Sequence, residues 1–140
     1  MKATVHSINI SKEGGVPKLP IGEATILVTG IDGDYNRFRS EKKGGIGTRA
    51  VTLFSLEIIH QLQKEGHSID VGTTGENITV EGVDWSSLSA GTRMMIGDAM
   101  LELSEPTAPC SKIGKSFVKG AFSRIDHDLE VGWSRWSASV

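Results

Sequence analysis

The chain has 140 residues, 38% of them apolar and 23% charged, with 17 glycines and a formal net charge of −2. That length suits one domain with a proper core, here residues 1–140, and the composition is neither disordered nor collagen-like. The near-neutral charge gives no reason to expect nucleic acid binding, and no window approaches the ~20 apolar residues of a membrane span. A single cysteine, Cys110, cannot form an internal disulfide, and the N-terminus lacks the apolar core of a secretory signal. The expectation is a soluble cytoplasmic protein.

Along the chain, Lys2 to Ile10 is rich in β-branched residues and stops at Ser-Lys-Glu-Gly-Gly15, which predicts a strand. Val16 to Ile21 carries two prolines and suits an edge or loop. Glu23 to Thr29 alternates Ala24, Ile26 and Val28 on one face, predicting a half-buried strand before a turn at Gly30 to Asp34. From Arg49 to Lys64, Val51, Phe54, Ile58 and Leu62 recur at helical spacing, predicting one long amphipathic helix that ends at Gly66. Asn77 to Glu81 reads as a short strand, and Arg93–Ile96 with Ala99–Leu103 reads as a hairpin turning at Gly97-Asp98. Gly132-Trp-Ser-Arg-Trp136 sets Arg135 between two indoles, where stacking is expected. Short strands, frequent glycine turns and one helix point to a barrel or sandwich with a helical excursion.

Charge is uneven. Arg37, Arg39, Lys42, Lys43 and Arg49 form a basic stretch relieved only by Glu41, whereas Glu76 to Glu105 is acidic. The segment after Cys110 is basic again, through Lys112, Lys115 and Lys119. Charge alone favours two solvated loops; if the basic segments meet in space, they form an anion site beside the thiol.

Cys110 sits in Glu105-Pro-Thr-Ala-Pro-Cys-Ser-Lys-Ile-Gly114, flanked by small and polar residues and followed by lysines. Nearby cations favour a thiolate, the form that attacks, carries sulfur or binds metal. Nucleophile, sulfur carrier and metal ligand all remain open, against the plain alternative of a small buried hydrophobe. His6, His60, His67 and His127 are too scattered for a closed zinc site. Thr73-Thr-Gly-Glu-Asn77 supplies a carboxylate and an amide that could hold a polar ligand, or simply a turn. Lys43-Gly-Gly-Ile-Gly-Thr-Arg49 could receive an anion, although it is neither a P-loop nor a dinucleotide fingerprint.

Five segments occur in an order that resembles the MOSC family, the molybdenum cofactor sulfurase C-terminal domains. They are Gly14-Gly-Val-Pro-Lys-Leu-Pro20, Gly44-Gly-Ile-Gly-Thr-Arg-Ala-Val51, Gly75-Glu-Asn-Ile-Thr-Val-Glu-Gly82, Ile96-Gly-Asp-Ala99 and Pro109-Cys110. The resemblance runs from about Val5 to Arg135 and implies a small stand-alone MOSC domain. It implies a mainly β fold: a closed or partly open barrel of the pyruvate-kinase type, with the long helix and short helical pieces. It also implies that Cys110 carries sulfur as a persulfide or ligates molybdenum of the pterin cofactor. Lys43, Arg49, Lys112 and Lys115 would take the cofactor phosphate, with Arg49, Glu76 and Asn77 lining the same cleft.

A cysteine desulfurase or other sulfur donor, a redox partner and a second copy of the chain are the implied partners, with no nucleic acid and no membrane. Larger relatives include pyridoxal-phosphate desulfurase fusions and reductases of N-hydroxylated compounds; no pyridoxal phosphate is expected on this chain itself. The implied activity is thus sulfur transfer or a molybdenum-cofactor-dependent reductase. The alternative is a non-catalytic barrel that binds a pterin, another anion or a protein, with an inert cysteine. Two departures stand out. Lys43-Gly-Gly-Ile-Gly-Thr-Arg49 replaces the usual His-Gly-Gly and Pro-Asp-Arg. The sequence also ends at Val140, where many relatives continue through another strand pair, so a different closure or a completing partner is expected.

Overall fold

The computed structural model describes residues 3–35 and 49–140. Its frame is one seven-stranded mixed sheet in the order β2-β1-β6-β5-β9-β8-β7. The strands are β1 (Thr4–Ile10), β2 (Leu19–Ile21), β5 (Val51–Ser55), β6 (Ile78–Glu81), β7 (Arg93–Ile96), β8 (Ala99–Thr107) and β9 (Arg135–Ser139). A separate two-stranded ribbon joins β3 (Ile26–Leu27) to β4 (Gly30–Ile31). The expected strand over Glu23 to Thr29 is therefore this small hairpin, with Gly30 inside it instead of in the turn beyond.

Every sheet pairing is antiparallel except β5 with β6. Two parallel neighbours need a crossover, and the helix α1 (Leu56–Lys64) lies within it. The expected helix from Arg49 to Lys64 is thus half right. Val51 to Ser55 is a strand buried along its whole length, and such strands read as continuous apolar runs without alternation. The spacing of Val51, Phe54 and Ile58 mimics a helical stripe across the junction.

Ser55 makes the switch. Its backbone is extended and its Oγ accepts the N–H of Ile58 at 3.3 Å, capping α1. Replacing Ser55 with Ala should cost about 1 kcal/mol in urea unfolding, and no loss would show that the cap is idle. At the other end, Gly66 takes φ +99, the left-handed position expected of it.

The β7–β8 hairpin pairs Ile96 with Ala99 across Gly97-Asp98, as the sequence predicts. Leu101 and Leu103 point into the core, while Glu102 faces Arg93 at 2.9 Å. Phe54, Leu53, Ile59, Leu62, Ile78 and Ile125 make up much of the fully buried interior. The hydrogen-bonded ladder ends at β2 and β7, so no closed barrel forms among the described residues. Closure needs a shear and register that join the two edge strands, and no pairing does so here. No described helix is long and apolar enough to cross a membrane.

Candidate functional site

Cys110 is positioned by the end of β8. Pairing with β9 shifts register between Leu103 and Glu105, a bulge that bends the strand and re-aims the residues beyond it. Pairing then resumes to Thr107 opposite Arg135. Pro109 restricts Ala108 to extended backbone, and Cys110 is itself extended at φ −144. Ser111–Ser116 then form 3-10 turns, with the N–H of Ile113 donating to the Cys110 carbonyl at 3.1 Å. Ile113 and Ser116 are buried, so the turn is anchored from below. The thiol is exposed and unpaired, which removes the buried-hydrophobe reading.

The thiol opens on a cleft of about 460 Å³. Lys18, Arg49, Lys112 and Arg135 bring cations to its walls, and Tyr35, Thr74 and Thr107 contribute polar atoms. Of the expected site residues, Cys110, Arg49 and Lys112 meet here. Arg49 ion-pairs with Glu105 through its Nε. Lys115 lines a neighbouring depression with Lys112, Pro17 and Thr73. Lys43 lies outside the described residues.

Glu76 and Asn77 sit beneath the cleft and are fully buried, while Thr74 and Gly75 of the same turn reach its surface. Asn77 is a strut: its Nδ2 donates to Asp34 Oδ2 at 3.0 Å and to the Asn9 carbonyl at 3.2 Å, and its Oδ1 accepts from Thr52 N–H. Asp34 in turn holds Lys18 Nζ at 2.7 Å in a buried ion pair. Glu76 accepts from Gly72 N–H at 3.0 Å and from the hydroxyls of Thr74 and Thr79 at 2.9 and 3.1 Å. Burial nonetheless pushes its carboxyl above the ordinary carboxylate value, outweighing those donors.

Arg135 is the residue that sequence reasoning placed wrongly. It does not stack between indoles. Its side chain is buried, with Nη1 donating to the Thr74 carbonyl at 2.6 Å and Nη2 to the Ala108 carbonyl at 3.2 Å. The cation over an indole is Arg124, 3.9 Å from the Trp133 ring centre and also paired with Glu65 and Glu130. Burial lowers the Arg135 guanidinium to about 10, with Glu76 and Cys110 pulling in the opposite direction. It remains a cation at neutral pH. Lys18 was likewise missed as a wall of the cleft; its place in Pro-Lys-Leu-Pro was the one signal that could have marked it.

Chemically, the cleft offers an accessible sulfur among four cationic side chains, two of which, Lys18 and Arg49, already hold carboxylates. Among the described residues no group of three or more His, Cys, Asp or Glu side chains could hold a metal ion. A metal at Cys110 would therefore not be held by a ready-made cluster of such side chains among the described residues.

Comparison with known proteins bears on the family and the fold. The MOSC domain family model matches residues 18–135. Among solved structures, YiiM from Geobacillus stearothermophilus superposes with a TM-score of 0.72 at 20% identity, covering 99% of this chain and 68% of that one. YiiM from Escherichia coli gives 0.67 at 20% identity, over 100% of this chain and 62% of that one. The YUAD protein from Bacillus subtilis gives 0.69 at 19% identity, over 99% and 88%. The chain thus spans about two thirds of either YiiM chain. No match was found among curated proteins. With the family model covering most of its length, the chain belongs to the MOSC domain family.

Proposed function

We propose that this domain handles sulfur or molybdenum cofactor at Cys110. One observation carries the reading: the only cysteine stands exposed at a cleft on which four cationic side chains converge. A volume of about 460 Å³ falls within the ordinary small-molecule range of about 300–1,000 Å³. The donor set also suits a phosphorylated, thiolate-seeking cofactor. Cys110 would ligate the metal, Arg49, Lys112 and Arg135 would take anionic groups, and Lys115 would approach from the neighbouring depression. Glu76 and Asn77 would act from beneath, by holding Thr74 and Lys18 in place. When bound, the cofactor would supply a redox-active molybdenum centre able to exchange a sulfur ligand.

The sulfur step needs only this chain and a donor persulfide, for which a cysteine desulfurase is the natural class. The Cys110 thiolate attacks the terminal sulfane sulfur, the donor S–S bond breaks, and the donor leaves as a thiolate. Cys110 keeps that sulfur as a persulfide, with no net redox change. The cations around the cleft stabilise the negative charge that passes to the departing donor thiolate. Reduction of N-hydroxylated compounds would use the same cleft with a separate redox partner. The non-catalytic alternative requires an inert thiol, and exposure at the cleft argues against that.

Incubating the protein with a desulfurase and sulfur-labelled cysteine should leave label on the wild type that dithiothreitol releases. Cys110→Ser should carry none, and its molybdenum content after co-expression with cofactor biosynthesis should fall to background. Undiminished label and molybdenum on Cys110→Ser would make the cysteine structural.

A further inference from the structure

Arg135 presents a physical problem that its hydrogen bonds do not solve. It enters the cleft from β9, the strand between β5 and β8, with only 6% of its surface exposed. Two of the five N–H donors of a guanidinium have protein acceptors, and both acceptors are neutral carbonyls. The Nε is buried with no acceptor. No carboxylate among the described residues ion-pairs with it; the carboxylate of Glu76 is committed to Gly72, Thr74 and Thr79. A buried cation with no carboxylate bonded to it is costly: Glu76 and Cys110 act on it only through space and do not offset its desolvation, and a neutral side chain could tie the same two carbonyls for less. Arg135 lines the cleft that holds the thiol, and its Nη2 grips the Ala108 carbonyl two residues before Cys110. Both ends of the side chain are fixed, so its charge cannot swing away as that of a surface lysine does.

We infer that Arg135 is the specificity-determining cation of the cleft, and that it selects reactants bearing an oxyanion group next to Cys110. This rests on the reading of Cys110 as the reactive centre. The incoming oxyanion supplies the directly bonded countercharge that no carboxylate of the described residues provides. Because the guanidinium is shielded from solvent, its attraction is less screened than that of the other cleft cations. Neutral molecules of the same size reach the thiol without that gain.

Two alkylating agents of nearly equal shape test this: iodoacetate carries a carboxylate and iodoacetamide does not. Their rate ratio at Cys110, normalised to free cysteine, should exceed one in the wild type and drop about tenfold in Arg135→Gln. Arg135→Lys, which keeps the charge, should hold most of the ratio and guards against a merely misfolded glutamine variant. Arg93→Gln, on the exposed side of β7, should leave it unchanged. Inorganic phosphate and acetate are then added as protectors against iodoacetate. Stronger protection by phosphate assigns a tetrahedral oxyanion, and stronger protection by acetate assigns a carboxylate. If both reagents slow equally in Arg135→Gln, or neither anion protects, Arg135 merely braces the loop and the inference falls. If neither reagent modifies native Cys110 at all, it is the reactive-thiol reading that fails.

Discussion

Gly72→Ala should lose about 3 kcal/mol or more of unfolding free energy, combining left-handed strain with overpacking. Gly72 has φ +79, and a Cβ placed on it would stand 2.1 Å from the Lys18 carbonyl oxygen. That oxygen is backbone, so it cannot rotate aside. The two segments are also bonded there, Lys18 N–H donating to the Gly72 carbonyl at 2.9 Å. Pushing them apart strains this bond, the Gly72 N–H bond to Glu76, and the Lys18 chain that pairs with Asp34. The cleft wall moves with them. Gly66→Ala is the internal control, because Gly66 is also left-handed but a Cβ there meets nothing within 4 Å. It should cost about 1 kcal/mol from backbone strain alone. Equal urea midpoints for the two variants would mean that the Lys18 contact yields easily.

The contrast between those two glycines also marks what the sequence could and could not disclose. Gly66 was legible because a helix end is local: the apolar stripe stops and a left-handed residue comes next. The β7–β8 hairpin was legible for the same reason, through Gly97-Asp98 between alternating runs. Gly72 and Arg135 were not, since each answers to a backbone segment far away in the chain, Lys18 in one case and Ala108 with Thr74 in the other. The β5–α1 junction misled because a strand buried throughout and a helical stripe share the residues Val51, Phe54 and Ile58. Barrel closure depends on which edges pair, and no local pattern encodes that. The small and charged neighbours of Cys110 left burial and exposure evenly open in the sequence, and the structure decides for exposure. Its surroundings were half visible: Arg49 and Lys112 stood out by charge, whereas Lys18 looked like a loop lysine.

Glu76→Ala should be as damaging as Gly72→Ala, while Glu76→Gln should separate shape from charge. Alanine strips the acceptor from the buried Gly72 N–H and from two hydroxyls, a loss of about 3 kcal/mol by the cost of stranded buried donors. Glutamine keeps the packing: its carbonyl can accept from Gly72 and Thr79, and its amide can donate to the Thr74 hydroxyl. The difference that remains is pH. Burial raises the Glu76 carboxyl above its unfolded value of 4.5. The native state therefore holds a proton that the unfolded chain has released over the interval above pH 4.5. Where the native state binds more protons, stability falls as pH rises. In the wild type, this contribution is favourable at the acid end and is lost as pH climbs through the raised native value. Glutamine does not titrate. The stability of Glu76→Gln minus that of the wild type should thus increase from pH 4.5 toward neutrality, read from urea curves at fixed ionic strength. Differencing the two proteins cancels the opposite trend from Glu65, whose carboxyl is held low mainly by its hydrogen bonds to Arg124. A difference that shrinks with rising pH would mean that Gly72, Thr74 and Thr79 outweigh burial and keep Glu76 ionised. Arg135 would then have a charged carboxylate beneath it throughout, and its need for an anion from the cleft would be smaller.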